Sequence, residues 1–185
     1  LIGLVVVLGL WVMSAYNGLV TLDQKTLSQW AQVENAYQRR ADLIPNLVET
    51  VKGAAEFEQE TLQNVIEARA KVGQTNIGGA PTPEQLQAFQ ANQDALSSAL
   101  SRLLVVVERY PELKAVQGFL DLQVQLEGTE NRIAVERNRY NETARAYNTA
   151  RRQFPAVLVA NLLGFADKGY FEAKPGADEP PKVEF

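Results

Sequence analysis

Two groups of polar residues stand out in this 185-residue chain by type and spacing. Arg39, Arg40 and Asp42 crowd just ahead of Pro45. Arginine grips carboxylates through parallel N–H donors, so this group could lock a turn between two helices; the alternative is a site for an anionic ligand or a lipid head group. The second group is Glu130, Arg132, Glu136, Arg137, Tyr140, Asn141, Arg145, Tyr147 and Asn148. Glu130 and Arg137 are seven residues apart and Glu136 and Tyr140 four apart, spacings that place each pair on neighbouring faces of a helix. These residues could form a buried polar network or contact a second subunit, since Tyr and Arg anchor interfaces. Catalysis is not expected: no nucleophile is paired with a base, and the carboxylates are scattered along one helix. Glu56, Glu58 and Glu60 point in different directions around a helix and make a poor metal cage.

Composition narrows the chemistry further. Cysteine and histidine are both absent. That removes disulfides, thiol chemistry, Cys/His zinc sites, histidine-ligated haem and every histidine-based triad. A formal net charge of −4 is not that of a nucleic-acid binder. No glycine-rich phosphate loop follows a strand, and no cofactor or metal is expected.

The elements that must position these groups read as helices. Residues 1–22 carry no charge and as a helix would rise about 33 Å, enough for a hydrocarbon core of roughly 30 Å. Trp11 and Tyr16 suit a membrane interface, and a uniformly apolar surface is unlike a buried core helix. An Ala-x-Ala-like cleavage site is missing, so a retained membrane anchor is expected rather than a signal peptide. Residues before Leu1 are expected to carry the charges that set topology. The C-terminal flank is poor in Lys and Arg, which favours the non-cytoplasmic side for the rest. Ser14 and Gly18 form a small-xxx-small pair that could let two spans approach closely.

Beyond the span, Leu27, Trp30, Val33 and Tyr37 make one apolar stripe over residues 24–41. Asp42 is then an N-cap candidate with Pro45 in the first turn of a second helix from Leu43 to about Val72. Trp30, Tyr37, Ile44 and Val51 also keep a seven-residue spacing across Pro45, which one long kinked helix would explain equally. Residues 73–83 read as a loop, and Thr82, Pro83 and Gln85 as a capping box opening a third helix to about Arg109. Pro111 starts a fourth helix, expected to be the longest, over about 112–152. Its seam is Phe119, Leu126, Ile133, Tyr140 and Tyr147, spaced by seven. Phe154-Pro155 breaks it, and a short helix closed by Gly164 follows.

The fold expected is therefore all-α: an N-terminal transmembrane helix over 1–22, then an antiparallel up-and-down bundle of long helices over 23–165. Four helices are expected, or three if one long helix kinks at Pro45. An acidic, proline-containing tail covers 166–185.

Taken together, YNGLV (16–20), WAQVENAYQRRADLIPNLVETVKG (30–53), EARAKV (67–72), YPELKA (110–115), TENRIAVERNRYNETARAYN (129–148), FP (154–155), GF (164–165) and YFEA (170–173) resemble the LemA family. The resemblance covers nearly the whole chain in order. It implies a bacterial membrane-anchored protein with one N-terminal membrane helix and a helical bundle, and it brings no agreed biochemical activity. Ala54 and Phe57 stand where family members often carry an aromatic and a histidine, so a histidine-dependent role is excluded for this segment.

These readings converge on a non-enzymatic single-pass protein of the bacterial inner membrane, its bulk periplasmic, that self-associates as a helical scaffold. The alternative is an adaptor or accessory subunit of another membrane-protein complex. The expected partners are membrane lipid and further copies of the chain, or, in the adaptor reading, a membrane protein, with no nucleic acid. Three features motivate self-association, the first being that a membrane span holds many copies in one plane and raises their effective concentration. A fourth helix longer than its neighbours would leave part of its seam uncovered. The segment 154–165 is apolar on more than one face, so Leu158 and Leu162 are expected to meet another copy or the membrane.

Overall fold

The computed structural model describes residues 2–53, 58–74 and 77–172. Six helices follow in order: α1 (Ile2–Lys52), α2 (Gln59–Gly73), α3 (Pro83–Val107), α4 (Pro111–Lys114), α5 (Gln117–Arg152) and α6 (Ala156–Leu162). No strand occurs among the described residues. One stretch of α1 is long and apolar enough to cross a membrane. Its side chains from Ile2 to Gly18 are exposed or half-buried, and burial begins at Leu19.

The chain does not turn at Pro45. α1 runs through it for 51 residues and ends at Lys52. The expected helix start at Leu43 is therefore corrected, and Asp42 is an exposed mid-helix residue rather than an N-cap. Proline there removes the amide that would bond the Ala41 carbonyl. Arg69 of α2 replaces it, its Nε donating to Ala41 O at 3.0 Å. Ile44, Leu47, Val48 and Val51 are all buried on the same stretch. Burying each such side chain contributes roughly 1.5–3 kcal/mol, which together outweighs a helix penalty of about 3 kcal/mol for proline.

The capping box at α3 is present. Gln85 N donates to Thr82 Oγ1, Thr82 N donates to Gln85 Oε1, and Pro83 opens the helix. The expected fourth helix is split, because α4 ends at Lys114 and α5 begins only at Gln117. At 36 residues α5 is shorter than α1.

α1 and α5 lie side by side in opposite senses: Gln29 meets Glu136 and Arg40 meets Glu130. α2 and α3 likewise run antiparallel, with Glu58 paired to Arg109 at their far end. One core unites all four around Leu47, Val65, Leu96, Leu103 and Phe119. A second, nearer the apolar end of α1, is aromatic: Trp30, Tyr37, Phe89, Tyr140 and Phe171. The entire α5 seam, from Phe119 to Tyr147, is buried within the single chain. The expectation that part of it lacks an intrachain neighbour is thus corrected; α1 and a C-terminal segment cover it.

α6 ends in a Schellman arrangement, with Gly164 at φ 76° and Phe165 N donating to Ala160 O at 3.0 Å, the left-handed turn that glycine adopts without strain.

If Arg69 serves as the missing amide of Pro45, Arg69→Ala lowers stability by about 1 kcal/mol, and Pro45→Ala in the same chain removes most of that loss. Urea unfolding of the four proteins in a double-mutant cycle measures it. An equal loss in both backgrounds would place the role of Arg69 elsewhere.

Candidate functional site

Arg40 is 1% exposed and ties three helices together. Its Nη1 donates to Ser97 Oγ of α3 at 2.8 Å and to Glu130 of α5. Its Nη2 donates to Gln93 Oε1 at 2.6 Å. The guanidinium also lies over the Tyr37 ring, 5.2 Å from its centroid. Nε is buried without a partner. Glu130 remains half exposed, so one end of the tie reaches water. The Glu130–Arg137 pairing suggested by their spacing does not form. Glu136, also buried, accepts from Gln29 Nε2 at 2.8 Å and pairs with Arg139 at 3.3 Å.

The second construction is a strap. Residues 165–172, expected to belong largely to a tail beginning at 166, instead lie in the groove between α1 and α5. Asn148 brackets Lys168, donating to its carbonyl at 2.8 Å and accepting from its amide at 2.9 Å. Asn141 does the same for Phe171, at 2.9 Å in both directions. Seven helical residues rise about 10.5 Å and three extended residues span about 10 Å, so the two asparagines meet every third strap residue. α1 keeps the same register: Tyr16 faces Phe165, Asp23 pairs with Lys168 at 2.8 Å, and Trp30 stacks on Phe171.

Other contacts complete the lacing. Tyr147 donates to Ala166 O at 3.0 Å and Arg151 to Phe165 O at 2.6 Å. Arg151 and Arg152 both reach Asp167. Arg137 caps the strap, its guanidinium 4.6 Å from the Phe171 centroid and its Nη2 donating to Glu172 O. Gly169 donates to Pro81 O at 3.0 Å, and a Cβ on it would come within 3.0 Å of Leu86 Cβ, Pro83 Cα and Thr82 O.

The structure separates the remaining residues singled out in the sequence. Arg39 and Arg132 are exposed and line a shallow depression of about 250 Å³ beside Gly128. Arg39, Arg40 and Asp42 thus do not act together: only Arg40 turns inward. Glu34 and Asp42 border a larger groove of about 550 Å³ between α1, α2 and α3. Burial holds the Glu34 carboxyl above its ordinary range. Tyr140 is fully buried, and its hydroxyl has no hydrogen-bond partner. Burial, with Tyr170 adding, pushes its ionisation far up. Burial, with Asp23 adding, pushes Tyr147 up to about 12. Glu58 accepts from Thr61 and pairs with Arg109, Glu60 is exposed, and Glu56 lies outside the described residues. No cluster of metal-ligating side chains occurs among the described residues. Leu158 and Leu162 are exposed on α6.

A helical body tied by one buried arginine and laced by its own C-terminal segment, continuous with an apolar helix of membrane-crossing length, defines an all-α protein with one candidate anchor. The chain belongs to the LemA family, whose model matches residues 29–185. It is similar to magnetosome protein MamQ 2 of Paramagnetospirillum magneticum, at 29% identity over 89% of this chain and 67% of that one. It is also similar to magnetosome protein MamQ of Magnetospirillum gryphiswaldense, at 27% identity over the same shares. Protein LemA of Metamycoplasma hominis matches at 25% identity over 76% of this chain and 61% of that protein.

One substitution probes the strap. Gly169→Ala forces backbone and Leu86 apart and lowers stability by about 1–3 kcal/mol. Limited proteolysis then cuts within residues 165–172, where the parent chain resists. A parent-like digestion pattern would show that the strap is not held by this close approach.

The two buried tyrosines differ in the opposite way. Tyr140→Phe removes an unpaired buried hydroxyl and leaves stability equal or higher, whereas Tyr147→Phe loses a hydrogen bond and costs about 1 kcal/mol. An unfolded tyrosine ionises near 10, while folded Tyr147 holds its proton to about 12. Folded chains therefore bind more protons in that window, and stability falls as pH rises through it. Denaturant melts at rising alkaline pH check this, and the slope is shallower in Tyr147→Phe.

Proposed function

We propose that the chain is a non-enzymatic, single-pass protein of the bacterial inner membrane. In this reading residues 1–22 are the anchor, and α1, α2, α3 and α5 form an antiparallel up-and-down bundle on the periplasmic side that acts as a self-associating scaffold. The observation that carries it is the continuity of α1. The apolar stretch passes into the packed bundle helix without a linker, up to Lys52. A bundle built this way is a rigid post whose height and direction are set by its membrane segment, which suits a scaffold. The polar groups support the non-enzymatic reading. Glu130, Glu136 and Asp167 are each engaged by arginine, and the asparagines hold the strap.

Self-association has a surface of its own. Leu120, Val124 and Val135 are 40%, 67% and 45% exposed. Their spacing of four and eleven residues puts them on one stripe of α5. Copies held in one membrane plane meet at high effective concentration, so a modest stripe suffices.

Light scattering of detergent-extracted protein tests the proposal. The expected result is a defined homo-oligomer that Val124→Asp converts to monomer with unchanged helical circular dichroism. A monomeric parent chain carrying one stoichiometric second protein would overturn it in favour of an accessory subunit.

A further inference from the structure

We infer that α6 and its flanks, residues 153–166, lie in the boundary between head groups and acyl chains of the leaflet through which α1 leaves the membrane, with Phe154, Leu158 and Leu162 in contact with phospholipid. The inference rests on residues 1–22 being the anchor.

Position comes first. α6 packs where α5 ends, beside the apolar part of α1, and Phe165 just beyond it meets Tyr16 edge-on, with ring centroids 5.8 Å apart. Tyr16 belongs to the charge-free stretch 1–22, near its exit. A ring with an apolar body and a polar tip is at home at that depth. A helix that shares the level of Tyr16 is surrounded there by interfacial lipid wherever protein does not cover it.

Chemistry agrees with position. Residues 153–166 contain no charged side chain, so this is a second charge-free segment, and it meets the first. Charges resume at once on the bundle side, where Asp23, Arg151, Arg152, Asp167 and Lys168 pair with one another. That belt marks where the apolar layer stops.

α6 is apolar on two faces. Val159 and Ala160 are buried against the bundle. Leu158 and Leu162, one helical turn apart, are 60% and 84% exposed, and Phe154, just ahead of the helix, is 82% exposed. The inner face is enough to dock α6, so the outer stripe is unexplained by folding alone; a helix lying in the interface presents such a stripe to lipid. Its backbone is also prepared for a medium poor in water. Val157 N donates to Gln153 O, Leu158 N to Pro155 O, Leu163 N to Val159 O and Phe165 N to Ala160 O, which limits the unpaired groups that make irregular backbone costly in lipid.

The absence of cysteine in the chain allows a single-site test on the full protein in phospholipid vesicles. An environment-sensitive fluorophore is attached to Leu162→Cys, to Leu158→Cys, to Val7→Cys in the anchor, and to Val105→Cys, an exposed α3 residue at the opposite end of the bundle. Quenching by aqueous iodide is compared with quenching by lipids carrying a nitroxide near the head group or near the bilayer centre. The expected result is that both α6 labels are quenched most by the shallow nitroxide and several-fold less by iodide than the label at 105. The label at 7 responds most to the deep nitroxide. Iodide access to both α6 labels, with the label at 7 still in lipid, overturns the inference and leaves the anchor standing. Protection from iodide and nitroxide alike, with the label at 7 in lipid, overturns it too, since another copy or protein then covers the stripe. A label at 7 that no lipid nitroxide reaches overturns the anchor and this inference together.

Discussion

The antiparallel pairing of α1 with α5 is the constraint from which the other elements take their places. Each helix presents a seven-residue repeat to the other: Trp30, Tyr37 and Ile44 on α1, and Phe119 to Tyr147 on α5. Two such helices leave a groove along their contact line. Three extended residues match one heptad in length, so a segment crossing that groove can repeat the same contacts at every heptad. The strap does this with Phe165, Lys168 and Phe171. Its backbone amides and carbonyls would be stranded beside helices whose own ladders are complete, and Asn141 and Asn148 supply the missing partners. Placing one asparagine directly after each seam tyrosine, Tyr140 and Tyr147, lets the same turn face both the core and the strap.

Arg40 sets the register of α3 against that pair. A buried guanidinium gains little net stability, because desolvation offsets much of its attraction to a carboxylate. What it supplies here is direction. Gln93 and Ser97 of α3 and Glu130 of α5 can all be reached only in one vertical and rotational setting of the helices. The half exposure of Glu130 moderates the desolvation, and the stacking on Tyr37 covers the face of the cation.

The helical class, the capping box at Thr82 and the α5 seam were legible because each rests on local periodicity or local capping chemistry. Arg40 was legible as unusual but was grouped with Arg39 and Asp42, its neighbours in sequence. The informative relation was the spacing of Val33, Arg40 and Leu47, which puts the arginine on the apolar stripe. Gln93 carried the same signal between Leu86 and Leu100. At Pro45 the sequence left a turn and a continuous helix both open, and the helix continues there with the help of Arg69, a donor 28 residues away. The strap was unreadable in principle from composition. Residues 165–172 have no periodicity of their own, and their order comes from side chains on α1 and α5.

The two ends of α6 are held by different means, and this ties the apolar end of the molecule to the bundle. On one side α6 joins α5 through Phe154 and Pro155. On the other, Gly164 turns the chain into the strap, and Phe165, Asp167 and Lys168 fasten it to α5 and α1 within a few residues. α6 has little inner surface of its own, with Val159 and Ala160 its buried residues. Its position therefore depends on the strap being seated, and the strap depends on the α1–α5 groove being formed. Because coupling free energies are reciprocal, a seated strap favours the docked α6 by the same amount as a docked α6 favours the seated strap. The continuity of α1 closes this loop. The helix that would enter the membrane is the one that forms a wall of the groove, so the setting of the apolar end and the packing of the body are properties of one element.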